Sequence, residues 1–337
     1  MEFSQLALNL EEIERNYPDS PLDFFKDKKL CVFKACLEKY FPGVRYGILD
    51  LANELDLKVS VSEGQSCCSG TFFQRNLITR AQFAAINERN LHELNSQSDI
   101  CLISCNGCYN SLMRGRDFLK TPEVFKKTEK ILDDLKKQMG ENVDRQKYKI
   151  LENPSLRLIH DLDFIYLIRN EVLNSLKYNL QGLKVAVHYG CHYLNLSRDK
   201  NSVEGYLKDK TKLDELVELF GGTALDYQEK ESCCGWGASQ ILINPREALK
   251  ITHDKLKSAE NVGADFLLMP CPTCLYTLSK PEYREKMNKW FGDKLEIPTI
   301  HLNELIAILL GCEQERCLTL RRTTPRLEEI FEIITND

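Results

Sequence analysis

The chain of 337 residues is 43% apolar, so it can bury one or two ordinary hydrophobic cores without disulfide staples. Its net charge of −5, without a basic stripe, argues against a nucleic-acid partner, and no apolar stretch reaches membrane-spanning length. The acidic N-terminus lacks a signal-peptide pattern, so we expect a cytoplasmic protein with no transmembrane span. In that reducing compartment, 14 cysteines indicate metal or redox chemistry rather than disulfides.

Short apolar runs alternate with helical patterns through the first third of the chain. The run 29–35 is strand-like, 46–55 has a helical period, and 57–62 is strand-like again. A second helical pattern covers 78–94, and the apolar run 99–104 follows it. This order is typical of an α/β unit with parallel strands.

The same order returns after a charged, helix-rich connector. Strand-like 183–190 is followed by helical 212–220, strand-like 223–227, a helix over about 245–259 and the apolar run 264–270. The alternation predicts a small, parallel, doubly wound sheet in each copy.

Ten cysteines form one pattern that occurs twice. In each copy a lone cysteine precedes an adjacent pair, which precedes a C-x-x-C, and 36 residues separate the pair from the C-x-x-C in both. The first copy consists of Cys36, Cys67, Cys68, Cys105 and Cys108, and the second of Cys191, Cys233, Cys234, Cys271 and Cys274.

Four of these motifs, at Cys36, Cys105, Cys191 and Cys271, lie directly after predicted strands. Ligands of open α/β sheets gather at the carboxyl ends of the strands, so each set can converge at one edge of its own sheet.

Several cofactors could use such thiols. Structural zinc takes four ligands, commonly from two short C-x-x-C-like pairs, whereas each copy offers one C-x-x-C and five thiols. An iron–sulfur cubane with four ligands would also leave one thiol over, and the ferredoxin spacing is absent. The surplus thiol favours an unusual iron–sulfur cluster.

The motifs resemble those of a known family. The order of a lone Cys, a CC-G and a C-x-x-C is similar to that of the cysteine-rich CCG domain. The phrases VAVHYGCH, ESCCGWG, ISCNGCYNSL and IPTIHLNELIAILLG resemble those of the B component of heterodisulfide reductases, over residues 29–312. One departure is that Ser69 separates the first pair from Gly70.

The resemblance implies an α/β fold of two tandem CCG domains, related by a pseudo-twofold axis and joined by a helical connector. It divides the chain into an N-terminal extension (1–28), a first CCG domain (29–118), the connector (119–182), a second CCG domain (183–312) and a C-terminal tail (313–337). It also implies two non-cubane [4Fe-4S] clusters facing a substrate cleft, with the ten cysteines above as the ligands of their iron.

The first ligand has two candidates. Cys31 could serve on spacing alone, but FKAC-LEKYFPG matches the phrase of the family at Cys36, so we favour Cys36. The four spare cysteines are then Cys31, Cys101, Cys312 and Cys317. A free cysteine is commonly a small buried hydrophobe, which we expect for Cys31 and Cys101 in their strand-like runs.

Reducing a disulfide takes two electrons and two protons, and iron–sulfur clusters usually pass one electron at a time. Twin sites on either side of an S–S bond would let each half receive one electron, which favours disulfide cleavage over plain electron relay. His192, next to Cys191, is the candidate proton donor, with Tyr109 and His188 as weaker candidates. The alternative for His188 is a satisfied core histidine.

The chain has no nucleotide-binding glycine motif and no ferredoxin domain, so its electrons come from elsewhere. The resemblance implies two partners, a C component-like protein with two cubane [4Fe-4S] clusters and a flavin-bearing A component-like protein, with a hydrogenase or formate dehydrogenase beyond. The expected function is reduction of the disulfide of coenzyme M and coenzyme B. The alternatives are a sulfur-oxidising Hdr-like complex, a lactate, glycolate or glycerol-3-phosphate oxidising or thiol:fumarate reductase complex, and a non-catalytic electron-transfer protein.

Overall fold

A computed structural model describes residues 6–139, 144–198, 211–237, 240–313 and 326–336. The chain forms two four-stranded, all-parallel sheets with helices between the strands. The α/β class and the repeated parallel sheet predicted from the sequence are therefore confirmed.

The first sheet has the strand order β2-β1-β3-β4. Its strands are β1 (Leu30–Phe33), β2 (Val59–Val61), β3 (Ile100–Ile103) and β4 (Arg157–His160). All four residues of β1 and of β3 are buried, as expected for apolar runs in the middle of a parallel sheet. The helices of this half of the chain are α1 (Leu10–Asn16), α2 (Asp23–Lys26), α3 (Pro42–Glu54), α4 (Gly70–Gln74), α5 (Arg80–Asn95), α6 (Asn106–Phe118) and α7 (Pro122–Gln138).

The second sheet repeats this order as β6-β5-β7-β8. Its strands are β5 (Lys184–Val187), β6 (Thr223–Leu225), β7 (Phe266–Met269) and β8 (Thr299–His301). The helices of the second half are α8 (Asp161–Leu167), α9 (Arg169–Ser175), α10 (Cys191–Arg198), α11 (Lys212–Leu219), α12 (Gln240–Ile243), α13 (Pro245–Asn261), α14 (Pro272–Ser279), α15 (Pro281–Phe291), α16 (Leu302–Leu309) and α17 (Leu327–Thr335).

The chain divides into two compact units that are not consecutive in sequence. The first unit comprises the described residues of Met1–Lys34, Lys58–Ile103 and Gly107–His160 and contains the first sheet. The second unit comprises those of Ala35–Leu57, Ser104–Asn106 and Asp161–Asp337 and contains the second sheet. The predicted domain boundaries follow the order of the motifs along the chain, whereas the units follow contacts, so those boundaries stay a prediction.

Helix α3 joins the second unit through its packing on α16. The C=O of Asn303 lies so close to Gly47 that a Cβ at Gly47 would be 1.8 Å from this oxygen. The Asn303 side chain donates hydrogen bonds to the Val44 carbonyl at 2.9 Å and to Asp161 Oδ2 at 2.6 Å. A glycine and a buried amide thus let the two helices approach closely.

Two strands were not indicated by the sequence pattern. β4 and β8 have only four and three residues, and each leads directly into a helix. β4 lies within the charged, helix-rich connector, where we expected no strand.

None of the helices in the described ranges combines the length and the apolar character that a membrane crossing needs.

Replacing Gly47 by Ala should lower the free energy of unfolding by about 2 kcal/mol, since overpacking against a backbone atom forces the helices apart. Asn53→Ala, on the exposed side of the same helix, is the matched control and should stay within about 0.5 kcal/mol of the wild type. Chemical denaturation followed by circular dichroism measures both. Equal stability of the two variants would contradict the close packing.

Candidate metal centre

The cysteines of the second set all lie at the carboxyl edge of the second sheet. Cys191 begins α10 four residues after the end of β5, and the pair Cys233–Cys234 follows β6. Cys271 comes two residues after the end of β7 and is the N-cap of α14, whose third residue is Cys274. Three neighbouring strands therefore deliver five thiols to one edge.

These five thiols form a continuous series of hydrogen-bonded neighbours. Cys233 interacts with Cys191 on one side and with Cys234 on the other. Cys234 interacts in turn with Cys274, which interacts with Cys271. Cys234, Cys271 and Cys274 are buried and the other two are half-buried. The set is thus a compact cluster of sulfur donors with limited access to water.

The ionisation of one thiol opposes that of the next. Hydrogen bonds from the Cys191 and Cys234 thiols, together with the N–H groups of Gly235 and Gly237, hold the pKa of Cys233 well below its usual range. The hydrogen bond to Cys233 raises the pKa of Cys191, and it raises that of Cys234 to about 12. A second negative charge beside a buried thiolate is unfavourable.

The C-x-x-C behaves in the same way. Burial works against ionisation of Cys271, but hydrogen bonds from the Cys105 and Cys274 thiols outweigh it and lower its pKa well below the usual value. Hydrogen bonds to Cys234 and Cys271 raise the pKa of Cys274. Ionisation is thus favoured at Cys233 and Cys271 and opposed at the other three thiols, and bound metal would take the place of the remaining protons.

The loop of the second cysteine pair is fixed by helix α13. Thr252 Oγ1 donates to the Cys234 carbonyl at 2.9 Å. Gly235 has φ +95°, and a Cβ there would lie 2.1 Å from Thr252 Oγ1. The glycine after the pair is therefore required by both the backbone conformation and the close approach of the helix.

His188 and Lys255 lie next to these thiols. The His188 ring nitrogen and the sulfur atoms of Cys234 and Cys274 all lie within 4.8 Å of one another. Burial, with the charge of Lys255, lowers the pKa of His188 to about 3. The Lys255 ammonium is fully buried and donates to the carbonyls of Glu229 and Lys230. Burial lowers the pKa of Lys255 to about 8.

Lys255 was not found by the sequence analysis. It lies on the buried face of α13 together with Ala248, Thr252 and Ala259, at helical spacings of three and four. A lysine at a core position of an amphipathic helix is unusual, and that periodicity was the signal available.

Three cysteines of the first set lie in the first unit. Cys68 and Cys108 are buried and hydrogen-bonded to each other, and Cys67 is exposed. The bond from Cys108 lowers the pKa of Cys68, but interaction with Cys67 and burial outweigh it and raise this pKa to about 11. Asn87 Nδ2 donates to the Cys68 carbonyl at 3.3 Å, in the way that Thr252 holds the second pair.

The residue after the first pair, Ser69, has φ +57°, so it takes the left-handed conformation that glycine has after the second pair. Helix α4 then starts at Gly70, where a Cβ would lie 2.6 Å from Ser111 Oγ. Ser69 thus keeps the left-handed turn after the cysteine pair, and the small residue needed for close packing comes one position later, at Gly70.

The other two thiols of the first set, Cys36 and Cys105, belong to the second unit. Cys36 is exposed in the segment after β1, and Cys105 is buried. The Cys105 sulfur lies 4.0 Å from that of Cys271 and 3.7 Å from Thr273 Oγ1. A cysteine of the first motif therefore contacts the second set directly.

The spare cysteines have surroundings unlike those of the two cysteine sets. Cys31 and Cys101 are fully buried, face each other in register on β1 and β3, and Ser98 Oγ donates to Cys31 Sγ at 3.0 Å. Cys312 Sγ donates to Asp50 Oδ2 at 3.2 Å. Cys317 is outside the described residues.

The two predicted proton donors have different surroundings. His192 is the second residue of α10, next to Cys191 in the second unit, and is half-buried. Tyr109 is half-buried in the first unit, and its ring packs edge-on against His160 at a centroid distance of 5.9 Å. His192 thus follows Cys191 in the sequence, as Tyr109 follows Cys108.

The donor chemistry fits an iron–sulfur cluster better than a single ion. Thiolate sulfur is the donor that iron–sulfur clusters take, and the second set offers five sulfur atoms where tetrahedral zinc needs four ligands. The neighbouring His188 is left with both ring nitrogens without a hydrogen bond among the described residues. It is therefore not the satisfied core histidine considered from the sequence.

Comparisons with known proteins agree with the repeat. The B component of the ferredoxin/F(420)H(2)-dependent CoB-CoM heterodisulfide reductase of Methanosarcina acetivorans is 29% identical over 84% of this chain and 89% of its own. The 8-methylmenaquinol:fumarate reductase membrane anchor subunit of Wolinella succinogenes is 24% identical over 81% and 91%. A crystal structure of a hypothetical protein from Helicobacter pylori has the same fold at 12% identity, with a TM-score of 0.61. The match covers 94% of the present chain and 57% of the Helicobacter pylori chain.

The cysteine-rich domain designated CCG matches residues 30–113 and again 185–279, which together make up more than half of the sequence. Each match runs from the first strand of one sheet through its third strand and its C-x-x-C motif, and leaves out the fourth strand. With two parallel sheets, two loops holding a cysteine pair and two matches in one polypeptide, the chain belongs to the CCG cysteine-rich domain family.

Proposed function

We propose that this protein is the catalytic iron–sulfur subunit of a heterodisulfide reductase complex, and that it reduces the disulfide of coenzyme M and coenzyme B to two thiols. The observation that carries the proposal is the convergence of five thiols at the edge of the second sheet, from a motif that the chain contains twice. The relative from Methanosarcina acetivorans bears the name of the B component of such an enzyme, which supports this choice.

Each motif would hold one non-cubane [4Fe-4S] cluster. The second ligand set lies within one compact unit, and the first is assigned from the order of the motif along the chain. The proposed ligands are Cys36, Cys67, Cys68, Cys105 and Cys108 for one cluster and Cys191, Cys233, Cys234, Cys271 and Cys274 for the other. The placement of Cys31 on a buried strand, hydrogen-bonded to Ser98, supports Cys36 as the first ligand.

The reaction needs two electrons and two protons. A cluster bound by these thiolates supplies single electrons and an iron that can accept sulfur. The protein supplies the protons: His192 would donate one to a departing thiolate beside the second set, and Tyr109, after Cys108, the other.

The electrons would come from partner proteins, because neither sequence nor fold suggests a nucleotide or flavin site in the described residues. We propose a C component-like partner with two cubane clusters and a flavin-bearing A component-like protein, with a hydrogenase or formate dehydrogenase beyond. The site of action is the cytoplasm.

A second candidate function is the iron–sulfur subunit of a fumarate-reducing complex. The relative from Wolinella succinogenes, matched over 91% of its length, favours this alternative within the same family. The two candidates differ in the substrate that reaches the thiol-rich edge, so substrate addition separates them.

We expect about eight irons per chain after anaerobic purification with partners, as two [4Fe-4S] clusters require. Adding the coenzyme M–coenzyme B disulfide or its thiols should produce a new EPR signal. Eight irons without any response to these compounds would point to another substrate or to electron relay. Four irons with zinc would contradict twin catalytic clusters.

Cys234→Ser should remove about half of the iron, because a buried central ligand of one cluster is lost while the other cluster keeps its five cysteines. Cys312→Ser is the matched control, since its hydroxyl can keep the hydrogen bond to Asp50, and it should retain all of the iron. Iron and acid-labile sulfide analyses decide between them. Full iron in Cys234→Ser would remove this cysteine from the ligand set.

His192→Gln should lower kcat by about 100-fold at unchanged iron content, because a general acid is lost while the ligands remain. His253→Gln is a control on a histidine of the same unit that is bonded to Asp254 and Asp293 and should keep full activity. An unaltered kcat in His192→Gln would exclude it as the donor.

A further inference from the structure

The second thiol set has a buried polar neighbour that finds no hydrogen-bond partner in the part of the chain that the structure describes. His188 directly follows β5 and is 1% exposed. Neither Nδ1 nor Nε2 makes a hydrogen bond among the described residues, and the Lys230 backbone near the ring is not in hydrogen-bonding geometry. Leaving a buried polar group unpaired is unfavourable, so the fold retains this imidazole at a cost.

The imidazole lies next to sulfur. An imidazole ring carries an N–H donor in either protonation state. The sulfur atoms of Cys234 and Cys274 lie within 4.8 Å of a ring nitrogen, which is close enough for a group held among the thiols to accept from it. Five cysteines already complete the proposed ligand set, so the remaining role for His188 is to donate a hydrogen bond.

The first repeat lacks this donor. Phe33 stands three residues before Cys36, as His188 stands three residues before Cys191, and Phe33 is fully buried at the end of β1. A phenyl ring has no N–H to offer. The two centres thus differ at equivalent positions in their sequence repeats.

A buried charge gives a second difference. Lys255 lies three residues after Thr252, which anchors the second cysteine pair, and Asn90 lies three residues after Asn87, which anchors the first. Lys255 is a fully buried cation, whereas Asn90 is a neutral amide that accepts from Ser66 N at 2.8 Å. Only the second repeat therefore has a buried lysine at this point.

We propose that His188 donates an N–H hydrogen bond to sulfur at the second centre and, together with the Lys255 charge, raises the reduction potential of that centre above that of the first. Reduction adds negative charge, and both a hydrogen bond to sulfur and a nearby cation stabilise the more negative state. The proposal rests on the proposed function, since it requires a cluster on these thiols. The two centres would then differ in reduction potential.

The first test is a potentiometric titration followed by EPR on the anaerobic holoprotein. His188→Phe, which installs the residue of the first repeat, should shift one cluster to lower potential and leave the other unchanged. His188→Gln keeps an N–H donor and should restore part of the shift. His253→Phe removes a histidine with its own carboxylate partners and should leave both potentials unaltered.

The second test uses the unmodified sequence, so it does not depend on the folding of a variant. Pulsed EPR of the reduced holoprotein should reveal a weak nitrogen coupling that changes when histidine is labelled with ¹⁵N. A strong coupling, as for a nitrogen ligand, or no histidine coupling at all would overturn the hydrogen-bond donor.

Iron content separates the failure of this inference from that of the proposed function. A wild-type protein that binds no iron–sulfur cluster would overturn both. A wild type with about eight irons, in which His188→Phe leaves both potentials unchanged, would overturn only the role of His188. Equal potentials of the two centres in the wild type would also contradict it.

Discussion

The mutual proximity of five sulfur atoms at one sheet edge is the constraint on which the second unit depends. The thiols are too close together to ionise fully, so the pKa of Cys233 is lowered while those of its neighbours Cys191 and Cys234 are raised. A polynuclear cation removes the conflict because it lets every sulfur carry its charge. The arrangement of the thiols therefore favours metal binding, and the surrounding fold maintains that arrangement.

The fold keeps the cysteine pairs in place by the same device in both repeats. A polar side chain on the long helix that follows, Thr252 on α13 or Asn87 on α5, binds the carbonyl of the second cysteine of the pair. This contact holds the loop by its backbone. The repeats thus share their scaffold, while the groups around the thiols differ, and those differences give two similar sites different properties.

Much of this organisation could be predicted from sequence because it depends on local patterns. The runs that form β1 and β3 are continuous and apolar, and α13 has a clear helical period. The grouping of α3 with the second sheet could not be predicted, since it results from the contact of Gly47 with Asn303 rather than from any nearby residue. The role of His188 was equally hidden, because a buried histidine looks the same in sequence whether its nitrogens are paired or not.

The interleaving of the two units has a consequence for biosynthesis. Helix α3 is synthesised long before its packing partner α16. The second unit therefore cannot close until α16 has left the ribosome, and contacts this distant in sequence form slowly. Until then α3 exposes the buried face that it will pack against α16, and transiently exposed apolar surface of this kind favours aggregation.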